Sequence, residues 1–365
     1  MFAKTYKNRR VLVTGHTGFK GSWLCSWLLE LGAQVAGFSL NVPTVPSNFE
    51  ASQLRKRLAH FDGDVRDRGA LSRVMEAFKP EMIFHLAAQS LVRLSYADPI
   101  LTFETNTLGT LNVLECLRQS DQPLVGVIIT SDKCYHNQEW TWGYRENDVL
   151  GGDDPYSASK ACAELIFRAY DRSYYQGGEG LRVATTRAGN VVGGGDWAPD
   201  RIVPDCVRAW SQGQPTLIRH PRATRPWQHV LEPLSGYLWL GARLWQGEGS
   251  LRGESFNFGP VANTNQSVIE LVSSLARHWP GARWEVEPQD PGGHRESILL
   301  KLCCDKALNL LGWHSVLSLP ETVRLTAAWY RTYYEHGDAQ VRELASQQIK
   351  EYVNRAAAQG LDWAG

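Results

Sequence analysis

What the chain lacks narrows its possible functions first. No apolar run approaches the roughly 20 residues of a membrane-spanning helix, so neither a span nor a membrane partner is expected. Charge of one sign is also missing: Lys+Arg 38 against Asp+Glu 38 in 365 residues gives a formal net charge of +0. No global field then draws the chain to nucleic acid or anionic lipid. Cysteine clusters are absent as well. The 7 cysteines are scattered, only Cys303 and Cys304 adjoin, and no C-x-x-C spacing occurs. Neither a disulfide scaffold nor a metal site is indicated. Lys4, Lys7, Arg9 and Arg10 imitate the start of a secretory signal, but the apolar run after them breaks at Thr14-Gly15. A reducing cytoplasm is the compartment expected.

What is present is a rhythm. Short apolar runs alternate with longer amphipathic stretches: Val11–Val13 then Phe19–Leu31, Gln34–Phe38, Leu71–Phe78 then Met82–Leu86, Leu101–Leu117 then Val125–Thr130, and Ser157–Tyr174 then Leu181–Thr186. Runs such as Val127-Ile128-Ile129 are apolar on both faces, as strands of a buried parallel sheet must be. The fold expected is α/β, a Rossmann-type doubly wound parallel sheet. After Arg187 the rhythm loosens into glycine-rich Gly189–Pro199. This divides the chain into a cofactor-binding unit over 1–188 and a smaller mixed α/β substrate-binding unit over 189–365, with some later segments returning to the first. Ser267 followed by Glu270 has the form of a capping box, and Glu321–Tyr334 and Ala339–Ala358 read as helices. The 14 tryptophans and 13 tyrosines are read as packing residues.

Two motifs carry chemistry. The first apolar run ends in Thr14-Gly15-His16-Thr17-Gly18-Phe19-Lys20-Gly21, three evenly spaced glycines between strand and helix. Such glycines allow a tight turn and bring backbone N–H groups to a pyrophosphate at a helix N-terminus. Asp64-Val65 follows an extended segment and is placed near an adenine; Ala87-Ala88 offers small side chains where a cofactor passes. The second motif is Tyr156-Ser157-Ala158-Ser159-Lys160, whose Tyr and Lys share a helix face. An adjacent ammonium stabilises a phenolate and lets it act as a base. Thr130-Ser131-Asp132-Lys133 ends the preceding strand, where open α/β sheets bind ligands.

With these residues in view, the chain resembles the extended short-chain dehydrogenase/reductase superfamily over nearly its whole length. Ser131-Asp132-Lys133-Cys134-Tyr135, Gly18-Phe19-Lys20-Gly21, Asn190–Trp197 and Arg225–Val230 resemble the branch of sugar-nucleotide 4,6-dehydratases that takes CDP-glucose. Lys133 stands where most 4,6-dehydratases carry Glu. The resemblance implies NAD as cofactor. It is contacted by Gly15, Thr17, Gly18, Phe19, Lys20, Gly21, Asp64, Val65, Leu86, Ala87, Ala88, Gln89, Asn106, Tyr156 and Lys160. Asn106 matches the position that steadies the catalytic helix. Substrate contacts fall to Gln89, Ser131, Asn190, Arg201, Arg219, Arg225 and Arg295, and the assembly implied is a homodimer or homotetramer. Residue chemistry alone leaves NAD against NADP open, because the second strand ends Phe38-Ser39-Leu40-Asn41 without the acidic residue that selects NAD.

The implied reaction is an internal redox dehydration of use in deoxysugar biosynthesis. Tyr156 takes the proton of the 4-hydroxyl, with Ser131 on the same oxygen and Lys160 supporting the phenolate. Asp132 protonates the departing 6-hydroxyl, and Lys133 is either base or enolate-stabilising cation. A sugar-nucleotide 4-epimerase would need Tyr156 but not the Asp132-Lys133 pair. A non-catalytic cofactor-binding module would need neither Tyr156 nor Lys160.

Overall fold

A computed structural model describes residues 1–176, 180–260, 266–287 and 299–365. At its centre are seven strands: β1 Arg10–Thr14, β2 Gln34–Ser39, β3 Ala59–Asp62, β4 Met82–His85, β5 Leu124–Ile129, β6 Leu181–Ala188 and β7 Ser255–Phe258. They form one sheet in the order β7-β6-β5-β4-β1-β2-β3, with every pairing parallel. This is the doubly wound Rossmann-type sheet expected from the apolar runs. Alternate side chains explain those runs: Val125, Val127 and Ile129 enter one core, while Leu124 and Ile128 enter another on the opposite face. The chain winds outward from β1 to β3, then crosses back to β4. That reversal opens a crevice at the carboxyl ends of β1 and β4.

The helices that position the site are α1 Phe19–Glu30, α2 Arg68–Phe78, α3 Gly109–Arg118, α4 Pro155–Tyr170, α5 Ile202–Ser211, α6 Leu231–Trp245, α7 Val268–Ala276, α8 Leu319–His336 and α9 Asp338–Ala358. Helix α4 begins two residues before the apolar periodicity does. Asp154 accepts a hydrogen bond from Ser157 N at 2.9 Å and Pro155 occupies the first turn, so Tyr156 is already helical. The stretch expected as one helix over Leu101–Leu117 is three pieces: Pro99–Phe103, a π turn at Glu104–Leu108, and α3. A π turn is often found at functional sites, and this one carries Asn106.

Helix α6 is buried around almost its whole circumference from Leu231 to Leu244, with Arg243 the exception. Strand β7 lies beyond residue 188 and yet completes the sheet beside β6. Three two-stranded ladders follow β6, pairing Val191–Val192 with Gln228–His229, Thr224–Arg225 with Gln266–Ser267, and Thr216–Ile218 with Trp284–Val286. The capping box at Ser267–Glu270 is present. Five tryptophans, Trp23, Trp27, Trp313, Trp329 and Trp363, are fully buried, in keeping with packing as their main role.

Candidate active site

The glycines of the first turn are distinguished by what a side chain would strike. Gly15 has φ +73°, and a Cβ there would lie 2.6 Å from Ala87 N. A Cβ at Gly21 would lie 2.1 Å from the Gly15 carbonyl oxygen, so this glycine lets α1 pack on the turn. Gly18 caps α1 with no side-chain hydrogen bond, leaving the helix's first N–H groups for an anion. Around the turn, Thr17 Oγ1 donates to the Asn41 carbonyl at 2.6 Å, and Leu86 N donates to the Thr14 carbonyl at 3.0 Å. Phe19 packs toward Gly193 and Val65 against Gly109. These residues fit a dinucleotide's pyrophosphate. Asp64 is engaged by Arg66, through Arg66 N at 2.9 Å and Arg66 Nε at 2.8 Å. Burial pushes this carboxyl up, but the Arg66 contacts outweigh it and hold it below the usual range.

Asn106 joins the cofactor crevice to α4. Its Oδ1 accepts from Gln89 N at 2.8 Å; its Nδ2 donates to the Gln89 carbonyl and to Ser159 Oγ, both at 2.9 Å. The Gln89 amide is spent on its own loop, with Nε2 donating to Leu91 O at 3.0 Å and Thr102 Oγ1 at 2.9 Å. Ala88 directly precedes Gln89 and is partly buried.

Ser131, Asp132, Tyr156 and Lys160 are all buried at the carboxyl end of β5, with Lys133 partly exposed beside them. Ser131 Oγ donates to Asp132 Oδ1 at 3.0 Å and accepts from Lys133 N at 3.2 Å, and it also pulls on the Tyr156 phenol. Burial pushes the Tyr156 phenol up to about 12, opposed by Ser131 and, more weakly, by the Arg201 guanidinium. Lys160 is not among the groups acting most strongly on it. Its Nζ faces the Ile129 carbonyl at 3.5 Å, and burial pushes the ammonium down to about 8. The expected lowering of Tyr156 by Lys160 is thus not supplied by the protein alone. Burial also raises Asp132 above the usual carboxylate range, against the pull of Lys133, Ser131, Lys20 and Arg225. A raised carboxyl holds its proton closer to neutral pH, as a general acid requires.

Three cations act on this cluster from outside the Tyr156 motif. Lys20, expected at the cofactor, has its ammonium over the Tyr237 ring at 5.9 Å, and burial pushes it down to about 8, opposed by Asp132 and assisted by Arg201 and Lys160. Arg201 donates to Asp196 Oδ2 at 2.7 Å and to Ser90 Oγ at 3.1 Å while acting on Tyr156. Arg225 acts on Asp132 from the Thr224–Arg225 ladder. Arg219 is held at the rim by Asp200, 3.0 Å away, which also binds Arg93 at 3.0 Å. The Asn190 carbonyl accepts from Gln228 N at 3.1 Å, next to Gly189, where a Cβ would lie 3.2 Å from Asp132 Oδ2. Arg295 lies outside the described residues. The cationic pull on Asp132 and Tyr156 was not read from sequence, since Lys20 and Arg201 reach them only through tertiary folding.

A glycine-rich turn at the switch point and a Tyr-x-x-x-Lys helix beside a strand-end serine define an extended short-chain dehydrogenase/reductase. The chain belongs to the GDP-mannose 4,6-dehydratase family, whose profile matches residues 12–326. It is 45% identical over 354 residues to a CDP-glucose 4,6-dehydratase of Salmonella typhimurium, covering 96% of this chain and 97% of that one. The UDP-glucose 4-epimerase of Thermus thermophilus, solved with NAD, superposes with TM-score 0.73 at 26% identity, covering 88% of this chain and 99% of that one. A dTDP-glucose 4,6-dehydratase of Bacillus anthracis, in complex with NAD, shares the fold with TM-score 0.72 at 22% identity, covering 90% and 98%.

Proposed function

We propose that the chain is a hydro-lyase that converts CDP-glucose to CDP-4-dehydro-6-deoxyglucose with NAD regenerated in each turnover. The observation that carries it is the strand-end Ser131, whose hydroxyl donates to buried Asp132 and which acts on the buried Tyr156 phenol. An oxidising group and an acid for elimination stand side by side. The CDP-glucose assignment is supported by the Salmonella relative at 45% identity, and NAD by the NAD-bound structural neighbours. The Gly15–Gly21 turn would hold NAD, which would supply the acceptor for hydride from sugar carbon 4 and, once reduced, the donor of hydride to carbon 6.

The protein's own groups move the protons. Tyr156 takes the 4-hydroxyl proton while Ser131 bonds the same oxygen. The ketone so formed acidifies the hydrogen on carbon 5, and Lys133 stands beside Asp132 to take it or to stabilise the resulting enolate. Asp132 gives its proton to the departing 6-hydroxyl, which leaves as water. Arg201, Arg219 and Arg225 supply forked donors for the pyrophosphate, and Asn190 orients the sugar.

An epimerase has no use for an acid poised beside Ser131, and the raised Asp132 carboxyl favours the dehydratase. Exposed Ile100, Leu108, Leu165 and Tyr174, on α4, the segments before it and the turn after it, support a homodimer through these helices. Among the described residues no helix is long and apolar enough to cross a membrane, and the reading places the enzyme in the cytoplasm. Purified protein incubated with CDP-glucose, dTDP-glucose and UDP-glucose should remove water, read by mass, from the CDP sugar with a far higher specificity constant. Equal constants for the three would reject the CDP assignment; an isomerised sugar with no loss of water would reject the dehydratase.

A further inference from the structure

A buried ion pair stands directly behind the oxidising residues. Glu164 lies four residues after Lys160 on α4, one turn farther along the face that carries Tyr156. The Glu164 side chain is 1% exposed and that of Arg187, on β6, 3%. The carboxylate receives Arg187 Nε at 3.0 Å and Nη2 at 2.7 Å. It also receives Thr130 Oγ1 at 2.5 Å, Thr185 Oγ1 at 3.0 Å and Ser255 Oγ at 3.1 Å. The free arm of Arg187 donates to Tyr135 OH at 2.7 Å and to the Glu146 carbonyl at 2.9 Å.

Stability is a weak account of such a pair, because desolvating two charges offsets most of their attraction and apolar replacements are often neutral. What the carboxylate does is join elements. Thr130 immediately precedes Ser131; Thr185 and Arg187 lie on β6, which leads into Gly189 and Asn190; Ser255 opens β7. One side chain therefore sets the strand end bearing Ser131 and Asp132 against the helix bearing Tyr156 and Lys160.

The same carboxylate also faces Lys160. Its Nζ lies 3.5 Å from the Ile129 carbonyl; Glu164 on its own helix and Cys134 from the turn after β5 act on it, and it acts in turn on His85 of β4 and Lys20 of α1. Burial lowers Lys160, and the strongest opposing influence is Glu164.

We propose that Glu164 is a positioning residue for the oxidation step: its carboxylate fixes Ser131 opposite Tyr156 and supplies the negative charge that keeps Lys160 an ammonium. This rests on reading Tyr156 and Lys160 as the oxidising pair. Two readouts test it. The first is the ε-carbon NMR titration of 13C-lysine-labelled protein without substrate, with the Lys160 signal assigned by its loss in Lys160→Arg. The second is single-turnover oxidation of CDP-glucose as a function of pH.

In Glu164→Gln the Lys160 midpoint falls from its position at about 8 by about one pH unit, and the alkaline limb of oxidation moves with it while KM holds. Glu164→Asp keeps the midpoint and slows oxidation. A rate loss equal at all pH values with an unmoved midpoint overturns the proposal. If circular dichroism shows Glu164→Gln unfolded, the Thr130→Val/Thr185→Val double variant carries the test, since it keeps the ion pair. Oxidation several-fold slower with an unlowered Lys160 midpoint supports positioning; a wild-type rate overturns it. Failure of the dehydratase reading is seen separately, as wild-type protein that leaves CDP-glucose unchanged while the substrate-free titration still reports on Glu164.

Discussion

Asn106 donates to Ser159 Oγ at 2.9 Å while holding both backbone polar groups of Gln89. The residue next to Lys160 is thereby tied through a single buried amide to the loop that follows β4.

Asn106→Ala removes all three bonds and leaves Gln89 N and O without partners in a buried site. At about 1–3 kcal/mol for each unsatisfied group, unfolding free energy should fall by about 3 kcal/mol. Turnover should fall further than that loss of folded protein explains. Urea unfolding together with kcat, measured at a temperature where the variant stays folded, checks it. Unchanged values for both would show that Asn106 merely occupies the π turn.

Much of this arrangement was legible in the sequence, for a physical reason. Strands buried on both faces leave unbroken runs such as Val127-Ile128-Ile129, and a phosphate-binding turn leaves glycines wherever a Cβ would strike backbone, as at Gly15 and Gly21. Tyr156 and Lys160 are near neighbours on one helix, so spacing alone pairs them. The relations that escaped are tertiary. Nothing in the spacing links Lys20 to Asp132, Arg201 to Tyr156, or Arg187 to Glu164; the fold brings each pair together across the sheet's carboxyl edge.

Tyr156→Phe keeps the ring and removes the proton acceptor. Oxidation, followed as bound NADH absorbance in a single turnover, should slow by about 100-fold or more. The wild-type phenol is pushed up to about 12 by burial, so its deprotonated fraction grows as pH rises toward that value. The wild-type rate should accordingly climb between about pH 6 and pH 7.5, below the midpoint of Lys160, and this climb should vanish in the variant. Bound NADH forming at the wild-type rate in Tyr156→Phe would falsify Tyr156 as the base.

Glu232 offers a test of stability away from the catalytic groups. It is buried on α6 and accepts from Val316 N at 2.9 Å, Leu317 N at 2.6 Å and Tyr352 OH at 2.7 Å. Burial outweighs these donors and raises its carboxyl from 4.5 to about 7. The folded chain then keeps a proton that the unfolded chain releases, so the contribution to stability is full below about pH 4.5 and is lost as pH rises to about 7. The loss is on the order of 3 kcal/mol. Glu232→Gln, neutral at every pH, should flatten that slope when melting temperatures are compared between pH 5 and pH 8. A slope equal to wild type would assign it to other groups.

Asp132 and Lys133 separate elimination from oxidation. Asp132→Asn still accepts the Ser131 hydroxyl, now 3.0 Å from Asp132 Oδ1, but has no proton to give the 6-hydroxyl. Oxidation should therefore survive, with bound NADH accumulating while water loss falls by about 100-fold or more. Because burial raises the Asp132 carboxyl, its protonated fraction reaches to higher pH than an ordinary aspartate's, and wild-type elimination should decline only as pH rises above the usual carboxylate range. Lys133→Met retains much of the stem's bulk without the amine. It too should oxidise carbon 4 and accumulate bound NADH, but with a different isotopic signature. If Lys133 takes or stabilises the charge from carbon 5, solvent deuterium does not enter that position in Lys133→Met. In Asp132→Asn exchange at carbon 5 should continue, because the blocked step comes later. Deuterium incorporation at the wild-type rate in both variants would leave Lys133 no part in enolisation and give the carbon 5 proton to another group in the cluster.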